Sequence, residues 1–114
     1  MITKGIRGAI TVESNTADSI RKATIELFTE LINKNFLNEE NVSYVEFSVT
    51  KDLDAVYPAK FVRQDLSWGK TAFMCVQEMH VKNSLPMCIR VLVLADIKEK
   101  PEFVYLKGAS DLRK

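Results

Sequence analysis

One histidine and two cysteines are all that this 114-residue chain has of the usual soft metal ligands. Cys75, His80 and Cys88 lack the paired spacing of a zinc site and have no evident fourth ligand, so no metal site is expected. His80 reads as a residue of an exposed loop. The runs carrying Cys75 and Cys88 read as neighbouring strands, yet two cysteines in a chain without a secretory leader are expected to stay reduced in the cytoplasm. The first residues, Met1-Ile2-Thr3-Lys4-Gly5-Ile6-Arg7, have no apolar leader core. No apolar run approaches the roughly 20 residues of a membrane span. Charge of one sign is missing as well. Lys and Arg number 16 against 15 Asp and Glu, mixed along the chain, for a net charge of +1. That balance excludes the one-sided basic footprint of a nucleic-acid binder. There are no repeats, linkers or low-complexity segments, so residues 1–114 read as one domain. A domain of this size buries roughly two-thirds of its unfolded surface, and association between copies would be a natural supplement.

What the chain does have is clear periodicity. Residues 4–12 read as a strand. Asn15 or Thr16 can cap a helix whose stripe is Ile20, Thr24, Leu27, Phe28, Leu31 and Ile32, with Arg21, Lys22, Glu26 and Glu30 on its wet side. Residues 42–50 alternate, placing Val45, Phe47 and Val49 on one face and Tyr44, Glu46 and Ser48 on the other. Asp52 and Asp54 read as exposed turn carboxylates. Pro58 suits the first position of a short helix, with Ala59, Val62 and Leu66 inward and Lys60 and Arg63 together on a neighbouring face. Runs at 71–77 and 87–95, joined by a polar loop, read as an antiparallel pair, and Phe103-Val104-Tyr105-Leu106 is the last apolar piece. The order predicts an α/β (α+β) fold, a mixed β-sheet with helices on one face.

Arg90 stands out. It lies inside Met87-Cys88-Ile89-Arg90-Val91-Leu92-Val93-Leu94-Ala95, a run that reads as a buried strand. Burying an unpaired guanidinium costs several kcal/mol, roughly, so Arg90 needs an anion. Arg7 sits among small and apolar residues, Arg63 lies on the short helix, and Glu78 follows Phe73-Met74-Cys75-Val76-Gln77. If these elements converge, three arginines against one glutamate leave positive charge for a small molecule with more than one negative charge.

Five collinear motifs carry a family resemblance. They are Gly5-Ile6-Arg7-Gly8-Ala9, Tyr57-Pro58-Ala59-Lys60 with Arg63, Cys75-Val76-Gln77-Glu78-Met79, Cys88-Ile89-Arg90-Val91 and Val104-Tyr105-Leu106. Together they resemble the monofunctional AroH-class chorismate mutases of bacteria over almost the whole chain. The resemblance implies a homotrimer shaped as a pseudo-α/β barrel, with active sites between subunits. It implies an isomerase that converts the dianion chorismate to prephenate by a Claisen rearrangement, in phenylalanine and tyrosine biosynthesis, without a cofactor.

By position, the resemblance implies that Arg90 donates to the ether oxygen and a carboxylate, and that Arg7 and Tyr105 hold carboxylates. Glu78 would accept from the ring hydroxyl, with Cys75 and Met79 beside it. Lys60 and Arg63 would stand at the mouth, and Tyr57, Ala59, Phe73, Met74 and Leu112 would form apolar walls. Tyr57 stands where the family more often has phenylalanine, and the family's tail, here Leu112-Arg113, helps cover the site. Two other readings remain at this stage. One is an imine-deaminase-like enzyme on the same trimeric architecture, which would need an activated water. The other is a non-catalytic module that binds an anionic metabolite and has no use for Arg90 aimed at an ether oxygen.

Overall fold

Thr16 starts the first helix: its extended backbone ends the preceding loop, and its hydroxyl accepts the Ser19 N–H at 3.1 Å. In the computed structural model, which describes residues 2–112, this helix α1 spans Ala17–Asn35. It follows strand β1 (Thr3–Thr11) and precedes β2 (Val42–Val49). Then come α2 (Ala59–Asp65), β3 (Phe73–Gln77), β4 (Cys88–Asp96), β5 (Val104–Leu106) and a single 3-10 turn, Lys107–Ala109. Pro58 caps α2 rather than forming its first turn, and its φ of −56° already suits the helix.

The five strands form one mixed sheet in the order β3-β2-β4-β1-β5. β4 runs antiparallel to both β1 and β2, whereas β3 is parallel to β2 and β5 is parallel to β1. The antiparallel pairing expected between residues 71–77 and 87–95 is therefore replaced. β2 lies between the two strands, and the loop over residues 78–87 crosses it. A connection of that length can carry the chain past a neighbour, and β2 offers β4 a long ladder of apolar partners. Cys75 and Cys88 consequently do not face each other, and both are free thiols.

Only one face of the sheet is covered. Ile6, Ile10, Val45, Phe47, Ile89, Val91 and Val93 alternate towards the helices, where they join Ile20, Leu27, Phe28, Leu31 and Val62 in one buried cluster. Each such side chain contributes roughly 1.5–3 kcal/mol by leaving water. Phe28 packs edge-on against Trp68 at 5.0 Å between ring centroids. Gly8 is small because a Cβ there would lie 3.1 Å from both the Leu27 side chain and the Val104 carbonyl. That close approach brings α1 and β5 down onto β1. Among the described residues neither α1 nor α2 packs on the opposite sheet face, and the 3-10 turn covers only its Ala9–Cys88 end. Among the described residues no helix is long and apolar enough to cross a membrane.

Candidate active site

The uncovered face is where alternation sends every second residue of the central strands. Strand register aligns them in rows. Tyr105, Ala9, Arg90, Ser48 and Val76 lie side by side across β5, β1, β4, β2 and β3. The next row holds Arg7, Leu92, Glu46 and Met74. Both arginines thus come from strand parity, and packing beneath the sheet fixes their backbone. Arg90, Arg7, Tyr105, Ser48 and Glu46 line one open pocket of about 380 Å³, with Glu78 and Met79 at its rim beyond β3.

Glu78 is tied down from two sides. Its N–H donates to the Val49 carbonyl at 2.7 Å, extending the β2–β3 ladder by one bond. Its Oε1 accepts the Ser48 hydroxyl at 2.5 Å and lies 3.5 Å from Arg90 Nε. Both charged side chains keep about a third of their surface open, 35% for Arg90 and 32% for Glu78. The start of β4 is fixed independently. Asp52 accepts the Met87 N–H at 3.0 Å, and the Thr50 hydroxyl accepts the Cys88 N–H at 3.0 Å. Asp52 and Asp54 are exposed loop residues as expected, and both act as acceptors that hold loops: Asp54 takes the Asn15 side-chain N–H at 2.6 Å.

Tyr105 arrives from the other end of the sheet. Buried Asn35 clamps the approach to β5, donating to the Glu102 carbonyl at 2.9 Å and accepting its N–H at 2.8 Å. Leu112 and Leu85 pack beside Tyr105 over Ala9, Cys88 and Ala109, closing that end of the open face. Tyr105 Oη is buried and has no hydrogen-bond partner among the described residues. A buried hydroxyl without a partner costs roughly 1–3 kcal/mol, so a ligand acceptor there would be rewarded. Arg113 lies outside the described residues.

The remaining anticipated residues gather elsewhere. Phe73 and Cys75 point to the helix side of β3, where both pack against the core. Burial raises the Cys75 thiol above its ordinary value, and the backbone hydrogen bond it accepts at Ala59 and the charge of Arg63 pull it only partly back, so Cys75 stays a protonated thiol. Tyr57, Lys60 and Cys75 line a separate groove beside edge strand β3, with Ala59 buried beneath and Arg63 exposed on α2. Met74 is exposed on the uncovered face near this edge. The chain therefore carries two pockets that border β3, with Val76 and Gln77 lining both.

This division changes the charge count. Within the Arg90 pocket Arg7 and Arg90 meet Glu78 and Glu46, so formal charges cancel, and the expected surplus exists only when Lys60 and Arg63 are added. Glu46 and Ser48 were legible in sequence only as the outward side of an alternating strand; their signal is adjacency to Arg90, which register alone reveals. Tyr44 donates to Glu46 at 2.9 Å, and burial is the main cause that keeps its phenol above the ordinary value, hence protonated. Among the described residues, no group of three or more His, Cys, Asp or Glu side chains is arranged to hold a metal ion. The pocket has a polarity: β5, β1 and β4 bring a phenol and two guanidiniums, while β2 and the end of β3 bring carboxylates and a hydroxyl. It suits a ligand that is anionic at one end and carries a hydroxyl at the other.

Comparison with known proteins points to one family. Residues 3–114 match the sequence model of the family described as Chorismate mutase type I. Chorismate mutase AroH of Bacillus subtilis is 40% identical over 99% of this chain and 91% of its own length. Chorismate mutase AroH of Thermus thermophilus is 37% identical, covering 98% of this chain and 94% of its own. A solved chorismate mutase from Clostridium thermocellum superposes with a TM-score of 0.89 at 43% identity, over 93% of this chain and 96% of that one.

Proposed function

The chain belongs to the chorismate mutase type I family, and from that membership we propose a complete reading of its site. The protein is an isomerase that rearranges chorismate to prephenate in aromatic amino acid biosynthesis, and family membership does not favour the imine-deaminase or binding-module alternatives. The whole chain acts as one domain, in a homotrimer whose active clefts each join the Arg90 pocket of one copy to the Tyr57–Lys60–Arg63 edge of the next. A cytoplasmic location accords with two free thiols.

The observation that carries the shared cleft is electrostatic. A dianion gains little from a pocket in which two arginines already face two glutamates. Lys60 and Arg63 supply the missing positive charge; in one chain Lys60 lines the groove beside β3 and Arg63 stands exposed on α2 near Cys75. The uncovered sheet face is the second support. Leu92, Leu94, Met74 and Val76 share it, with Met74 54% exposed, although that parity ordinarily packs against something.

The reaction is an intramolecular pericyclic shift, so the residues hold and stabilise rather than exchange protons. Arg7 and Tyr105 take the substrate carboxylates, and Glu78 takes the ring hydroxyl; together they keep the enolpyruvyl arm folded over the ring in a near-attack geometry. As the ether C–O bond breaks, negative charge gathers on its oxygen. Arg90 meets that charge with a guanidinium already positioned by β4, and such a preorganised donor needs no reorganisation at the moment of reaction. Tyr57, Met74 and Met79 screen the cleft from water, and Leu112 backs Tyr105.

The test is loss of chorismate ultraviolet absorbance on adding the purified protein, beside an Arg90→Ala control and with sedimentation analysis of both. The expected result is rapid formation of prephenate by a trimer, abolished in the control. A folded monomer with full activity would overturn the shared cleft, and no acceleration by a trimer would overturn the isomerase reading.

A further inference from the structure

Glu46 is the one charged group of the pocket without an evident task in binding a dianion. It lies on β2 in the same cross-strand row as Arg7, with Leu92 between them, and one pleat along from Ser48, the partner of Arg90. Two inter-strand spacings put it about 10 Å from Arg7 at the backbone. No cation lies within ion-pair distance of it among the described residues. Its partner is the Tyr44 hydroxyl at 2.9 Å, which ties the carboxylate to its own strand and away from the guanidiniums.

We propose that Glu46 is a specificity-determining residue that weakens the binding of anions in this pocket and fixes which way round they enter. Its charge adds to that of Glu78 on the β2–β3 side, so an anionic group placed there is repelled and a hydroxyl is accepted. Substrate and product of the rearrangement carry the same two carboxylates. The penalty therefore falls on both, loosening product as well as substrate. The inference rests on the chorismate mutase reading of the pocket.

Removing one unit charge about 10 Å from a bound carboxylate in a half-wet pocket changes affinity about two- to tenfold. In the Glu46→Gln variant, which keeps a hydrogen-bond acceptor for Tyr44, KM for chorismate and the competitive Ki for prephenate are expected to fall together by that factor. The change falls on KM and Ki rather than on kcat. The gap to the parent is expected to narrow in high salt. Glu46→Asp, which keeps the charge, is expected to hold KM near that of the parent. An active parent with an unchanged or raised KM in Glu46→Gln overturns this inference alone. An equal KM rise in both variants also overturns it, because it marks Glu46 as packing. A parent that does not turn chorismate over overturns the isomerase reading, and this inference with it.

Discussion

Ser48 and Arg90 sit opposite each other across the β2–β4 ladder, and both approach the same oxygen of Glu78, Ser48 Oγ at 2.5 Å and Arg90 Nε at 3.5 Å. The carboxylate is thus oriented by a neutral donor as well as by a charge. A guanidinium alone would leave Glu78 free to follow Arg90 when substrate pulls on it; the hydroxyl anchors it to β2.

Removing that anchor should cost activity without unfolding the protein. A hydrogen bond to a charged group is worth roughly 1.5–3 kcal/mol, so Ser48→Ala is expected to lower kcat/KM about tenfold or more. Ser48→Thr, which keeps the hydroxyl, should recover most of it. Steady-state turnover of chorismate by the two variants decides the matter, and equal losses in both would remove the hydroxyl from the argument.

Arg90 and Arg63 are expected to fail in different ways. Loss of one preorganised transition-state donor costs ~10²–10³ in rate, and loss of a charged one more, so Arg90→Ala should depress kcat heavily. Arg90→Lys should also be poor, because a point charge does not reproduce the planar fork. Arg63 is exposed on α2, and Arg63→Ala should act mainly through KM. Equal, modest losses at both positions would contradict this division of labour.

Thr24 offers a stability test far from the chemistry. It is fully buried in the core stripe of α1, and its Oγ1 has no partner among the described residues. Thr24→Val keeps the shape and removes the unsatisfied hydroxyl, so unfolding in urea should require about 1 kcal/mol more than for the parent. A loss of stability would mean that the hydroxyl is satisfied in solution.

Acid should loosen the turns at one end of the sheet. Glu39 accepts the Thr71 hydroxyl at 2.7 Å and the Lys70 N–H at 2.9 Å, and the Thr71 bond is the main reason its carboxyl is held below the ordinary 4.5. The stabilisation is therefore complete above the ordinary value and disappears as pH falls through the lowered one. Urea midpoints of the parent and of Glu39→Gln should differ at neutral pH and converge in acid. A gap that persists unchanged in acid would remove the carboxylate as its source.

Much of the fold could be read from periodicity. The α1 stripe, the Thr16 cap and the alternation of β2 all recur in the structure at the expected positions. Strand partners could not be read so directly. Period two tells which residues share a face but not which strand lies alongside, so residues 71–77 and 87–95 looked like a hairpin although β2 separates them. The same blindness hid Ser48 and Glu46, ordinary polar residues until register puts them beside Arg90 and Leu92. Arg7, Arg90, Glu78, Met79 and Tyr105 do share one pocket, whereas Lys60 and Cys75 line another groove beside β3, with exposed Arg63 close enough to act on the Cys75 thiol. A linear sequence gives no sign of that split, because it shows charges without showing which side of a strand they serve.

The row through Tyr105, Ala9, Arg90 and Ser48 also limits how such a protein can evolve. A single residue inserted within β4 would turn Arg90 into the apolar layer beneath the sheet and lift Val91 into the pocket. Site and core would be lost in one event. Changes of length are therefore expected in the connections, at residues 78–87 and 97–103, rather than around Arg90 in β4.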